Sequence, residues 1–103
     1  MPANPTLETL RPTVYNIVEQ IPRGKVVTYG TIAMLAGCPN HSRLVGRIMR
    51  SAPDNLLPCH RVVNAAGRLA PHFHDQAALL EAEGVLLSAS GRVPLKKYLW
   101  SID

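Results

Sequence analysis

Cys59, His60 and Arg61 stand in consecutive positions, with Pro58 before them and Val62-Val63 after. A thiol is a poor nucleophile until it becomes a thiolate. A neighbouring imidazole can take the proton, and nearby positive charge lowers the thiol pKa. Pro58 fixes its own φ and drives Leu57 out of the α region, so the backbone reaches the cysteine extended or turning. The valine pair suits a short buried strand that anchors the turn. Together these residues describe a rigid mount for a reactive sulfur. The alternative is a small core cysteine whose sequence neighbour shares no hydrogen-bonding geometry with it.

A second set of residues points to a polyanion. Between Gln20 and Arg68 lie Arg23, Lys25, Arg43, Arg47, Arg50, Arg61 and Arg68, against one acid, Asp54, in a chain of net charge +4. A basic centre between slightly acidic flanks suits nucleic acid; a solvated basic face without a partner is the plainer alternative. Arg43, Arg47 and Arg50 fall at i, i+4 and i+7, one face of a helix, while Leu44, Val45, Ile48 and Met49 crowd the other side.

The elements that must position these groups follow from periodicity and turn chemistry. The chain of 103 residues is read as one domain, nearly half apolar and loose over residues 1–11. Pro12 fits the first turn of a helix carrying Val14, Ile17, Val18 and Ile21 as one apolar stripe, ended by Pro22 and Gly24. Lys25-Val26-Val27 is extended. Thr28 is the expected N-cap of a helix running to Gly37, and after a turn a second helix spans roughly His41 to Arg50. Two helices joined by a tight glycine-containing turn read as a helix-turn-helix. Arg61-Val62-Val63 and Arg68-Leu69 are expected to pair as two short strands around Asn64-Ala65-Ala66-Gly67. Asp75 is the expected cap of a helix through Glu81 that Gly84 stops, and the apolar tail from Val93 to Trp100 docks on the core. The expected class is therefore mainly α with a small β element.

No run approaches the ~20 apolar residues of a membrane span, and no signal peptide is evident. Cys38 and Cys59 are too few for a disulfide framework. Reduced thiols and a cytoplasmic location are expected, and Cys38 reads as a helix-end core residue. Neither cysteine has paired metal-ligand spacing, so no metal site is expected.

Pro58-Cys59-His60-Arg61-Val62-Val63 resembles the active-site signature of the O6-alkylguanine-DNA alkyltransferases. The similarity extends to Ile21–Gly30, Ser42–Gly46, Asn64–Leu69 and Leu79–Gly84, so nearly all of the chain from Val14 to Gly84 looks like that family's C-terminal DNA-binding domain. The resemblance implies a winged-helix-like helix-turn-helix that meets duplex DNA in the minor groove and flips an O6-alkylguanine. Cys59 would accept the alkyl group once and irreversibly, with no cofactor. His60 would be its base through a water, and Glu83 would orient that histidine. Arg43 would fill the space left by the flipped base, and Tyr29 would crowd its phosphate. Thr28, Ser42, Arg47 and Arg50 would complete the DNA-binding set. The protein would act as a monomer, nucleoid-associated in a bacterium.

Two departures qualify that picture. Ala52 stands where the family usually has a bracing asparagine. Ala70-Pro71-His72-Phe73-His74 replaces a longer Gly-Gly-containing loop. Size and tail resemble instead the alkyltransferase-like proteins, non-enzymatic lesion sensors that hand the lesion to nucleotide excision repair. Most of those lack the cysteine that this chain keeps. A helix-turn-helix regulator indifferent to damage is a third alternative, disfavoured by the Cys-His pair.

Overall fold

The structure is a computed structural model, described here for residues 5–53 and 56–101. Its elements are α1 (Leu7–Glu19), β1 (Val27–Thr28), α2 (Tyr29–Leu35), α3 (Ser42–Arg50), a 3-10 turn (Cys59–Arg61), β2 (Val62–Val63), α4 (Gln76–Ala82) and α5 (Leu95–Tyr98). The chain is thus mainly helical with a small sheet, as expected.

α1 begins five residues before Pro12. Thr6 and Thr9 exchange side-chain and backbone hydrogen bonds in a capping box, which satisfies amides that would otherwise be orphaned. Leu10, Val14 and Val18 are buried on one stripe, and that burial outweighs the hydrogen bond lost at Pro12, now inside the helix. The predicted loose start over 1–11 is corrected for Leu7 to Arg11; residues 1–4 lie outside the described residues.

Thr28 caps α2 as expected, its Oγ1 accepting from the Thr31 amide at 3.1 Å. Gly37, at φ +82°, breaks the chain out of α2. Its turn closes through the Cys38 amide on the Ala33 carbonyl at 2.8 Å. α3 follows and packs on α2 and α1, forming the helix-turn-helix.

The expected hairpin does not form. β2 pairs in parallel with β1, Val27 opposite Val62 and Thr28 opposite Val63. Between Asn64 and Arg68 only a tight turn closes, with the Asn64 amide on the Arg68 carbonyl. Gly67, at φ +80°, lies against the backbone of Val93, and Val93 takes up the Gly67 carbonyl. The segment after Gly67 is thus engaged by the tail and is not free to extend beside β2.

The β pair divides two apolar clusters by the period-two rule. Val27 and Val62 join the larger one with α1, α2 and α3. Val26 and Val63 join the smaller one with Leu80, Val85, Val93 and Tyr98. The tail docks as expected: Val26 N–H donates to the Tyr98 carbonyl and Trp100 N–H donates to the Val26 carbonyl. α4 occupies its expected place, but Asp75 makes no side-chain capping bond. With ψ near 1° its backbone already turns helically, unlike the extended backbone of a side-chain cap. Among the described residues no helix is long and apolar enough to cross a membrane.

Candidate nucleophile and nucleic-acid interface

Leu57-Pro58 delivers the chain into the 3-10 turn, where Arg61 N–H donates to the Pro58 carbonyl at 3.0 Å and Cys59 N–H to the Leu57 carbonyl at 2.8 Å. β2 continues directly from the turn, so the sheet and the larger core fix its position. Cys59 is buried at 5 % exposure, and neither it nor Cys38 is in a disulfide.

His60 and Glu83 meet. The Nε2 of His60 lies 2.7 Å from Glu83 Oε2, although 23 residues separate them. Glu83 follows α4, and the same carboxylate accepts from Arg61 Nε and Nη2 and from the Gly24 amide. Only 5 % of the Glu83 side chain is exposed, against 12 % for His60 and 16 % for Arg61. Burial pushes the Glu83 carboxyl up, but Arg61, His60 and the Gly24 N–H outweigh it and hold it down at about 2. An ionised Glu83 can only accept, so Nε2 is the donor and Nδ1 is left as the basic nitrogen of a neutral ring.

The sequence places Arg61 in the signature, in the basic centre and at the head of an expected strand; it ends the 3-10 turn instead, and β2 starts at Val62. The structure makes Arg61 a clamp: its Nη1 also donates to the Ile21 carbonyl at 2.7 Å, tying the turn to the segment that follows α1. Gly24, at φ +84°, brings its amide to Glu83 where a side chain would be strained. Gln76 was also missed. It is fully buried and hydrogen-bonds the backbone of His60, Val62 and Ala70. Its sequence signal was a polar residue four positions before Leu80, on the apolar stripe of α4.

Arg43, Arg47 and Arg50 are exposed on one face of α3, and Val45, Ile48 and Met49 are buried on the other. Two hollows open beside that face. One, about 280 Å³, is bordered by Tyr29, Arg43, Arg47 and Arg50 and closed by Ala70, Pro71 and His72. The other, about 330 Å³, runs past Tyr29, Ser42 and Arg43 to Asn64 and Ala65. Tyr29, Arg43 and Gly46 form the ridge between them. Thr28 borders neither; its hydroxyl is taken by the cap. Burial raises the Tyr29 phenol pKa, the nearby Cys59 charge raises it further, and Arg50 opposes both. Cys59 borders neither hollow but is electrostatically close to the tyrosine that borders both.

Residues 9–85 match the family model for the 6-O-methylguanine DNA methyltransferase DNA-binding domain. The chain belongs to that family. It is 44% identical over 92 residues to the DNA base-flipping protein of Escherichia coli K12, covering 85% of this chain and 71% of that protein. It superposes with a TM-score of 0.81 and 34% identity on Schizosaccharomyces pombe Atl1, solved in complex with damaged DNA containing O6-carboxymethylguanine. That match covers 92% of this chain and 97% of Atl1. The O6-methylguanine methyltransferase of Mycobacterium tuberculosis gives a TM-score of 0.67 at 34% identity, covering 77% of this chain but half of that one.

Proposed function

We propose that this protein binds duplex DNA containing an O6-alkylguanine, rotates the damaged nucleotide out of the stack, and accepts the alkyl group on Cys59. The observation that carries this reading is one 3-10 turn holding Cys59 next to a His60 that is fixed on Glu83 at 2.7 Å. Nδ1 of His60 takes the thiol proton through a water, and Glu83 steadies the imidazolium that results. The sulfur then attacks the alkyl carbon. The S–C bond forms as the O6–C bond breaks, and the released electron pair stays on guanine, which takes up one proton. No cofactor enters, and the thioether ends the protein's single turnover.

On this reading Arg43 enters the base stack from the minor groove, which its position bordering both hollows supports. Tyr29 crowds the phosphate of the rotating nucleotide, and Ser42, Arg47 and Arg50 hold the flanking backbone, while Thr28 serves by capping the helix that carries Tyr29. Flipping costs a few kcal/mol, which an inserted side chain and phosphate contacts offset.

A second reading has its own support. The likeness to Atl1 extends over almost the whole of both chains, and Cys59 is buried and lines neither hollow. On that reading the protein is a non-enzymatic sensor that holds the lesion for nucleotide excision repair. Intact-protein mass after incubation with duplex carrying one O6-methylguanine separates the two. Transfer adds one methylene unit, and Cys59→Ala abolishes the gain. Unchanged mass with tight, lesion-selective binding establishes the sensor.

A further inference from the structure

Gln76 is fully buried, and each of its polar atoms is engaged away from its own helix. Nε2 donates to the His60 carbonyl at 3.0 Å and to the Val62 carbonyl at 2.9 Å, which uses both of its hydrogens. Oε1 accepts from the Ala70 amide at 2.6 Å. A buried amide is costly unless satisfied, and this one is satisfied only while three backbone groups on two segments keep one arrangement. Two of its partners flank Arg61, in the turn that carries Cys59 and His60. The third begins the Ala70–His72 wall of the arginine-lined hollow. No backbone hydrogen bond joins that wall to the turn among those described.

We propose that Gln76 is a positioning residue that locks the Cys59–His60 turn to the Ala70–His72 wall, so that the damaged base and the sulfur are presented in a fixed relation. This rests on the lesion-binding function proposed above.

Cys59 and Cys38 are buried to nearly the same degree, 5 % and 6 % exposed, which supplies an internal control. Gln76→Met keeps the volume and removes every hydrogen bond. Iodoacetamide labelling, resolved by mass for each cysteine, should rise about tenfold at Cys59 and less than about twofold at Cys38, the scale of a lost buried hydrogen bond acting locally. Affinity for undamaged duplex should hold, while preference for O6-methylguanine duplex should fall by about the same factor as the Cys59 protection. A parallel rise at both cysteines, or no rise at Cys59, overturns the proposal, because a merely structural glutamine loosens the whole core or nothing. A wild-type protein without lesion preference overturns the function proposed above, and the labelling ratio still judges Gln76. Should Gln76→Met not fold, hydrogen exchange of the wild-type Ala70 amide decides: protection supports the lock, and exchange at the rate of an unstructured amide overturns it.

Discussion

Glu83 carries most of the local electrostatics. One carboxylate serves His60, Arg61 and the Gly24 amide, and its pKa of about 2 states how strongly the fold prefers it charged. A carboxyl depressed in the folded state stabilises the protein above its ordinary value near 4.5, and that contribution is lost as pH falls toward about 2. Glu83→Gln should therefore destabilise the protein at neutral pH by about 3–5 kcal/mol, because Arg61 is left buried without its counter-charge. Urea unfolding across pH should show wild type and variant converging as pH falls from about 4.5 to 2. A constant gap would assign the loss to packing. Arg43 differs from its helix neighbours by bordering both hollows, whereas Arg47 and Arg50 border one. Arg43→Ala should weaken binding to lesion-containing duplex more than Arg50→Ala does, measured by fluorescence anisotropy. Equal losses would make Arg43 another phosphate contact.

At the scale of elements, the site depends on short pieces with non-local partners. The 3-10 turn has three residues and β2 has two, neither stable alone. They hold because β2 pairs with β1 and because Arg61, Gln76 and Glu83 reach the turn from other segments. The 64–67 turn is held in the same way by the tail. A Cβ on Gly67 would stand 2.3 Å from the Val93 carbonyl oxygen, at a φ that disfavours side chains. Gly67→Ala should cost more than the ~1–2 kcal/mol of a left-handed residue alone, seen as a lowered Tm. Tail docking should loosen with it, and amide exchange at Val93 and Trp100 would report that.

At the scale of the whole molecule, the fold sorts charge. α3 turns its apolar residues into the larger cluster and leaves three arginines outward beside Tyr29 and the wall from Ala70 to His72. Binding through such a face is dominated by counterion release. With Arg47 and Arg50 on phosphates, log affinity should fall against log salt with a slope of roughly −2 from this helix, and an alanine at either position should reduce that slope by about one. An unchanged slope on removing Arg47 and Arg50 together would place the DNA on another face.

The sequence by itself determined what depends on local order. The Cys-His-Arg run, the divided face of α3, the Thr28 cap and the glycine that ends α2 were legible because periodicity and capping act within a few residues. The start of α1 also rests on local order, because the Thr6–Thr9 capping box sets it five residues before Pro12. What only the tertiary structure decided depends on which distant segments meet. β2 found β1 in place of the residues after Gly67, because the tail claimed that turn. Glu83 and Arg61 closed on each other across 22 positions of chain, and Gln76 turned from the stripe of its own helix toward the backbone of the site. Each follows from a buried polar group needing partners wherever the fold can bring them, which no spacing along the chain records.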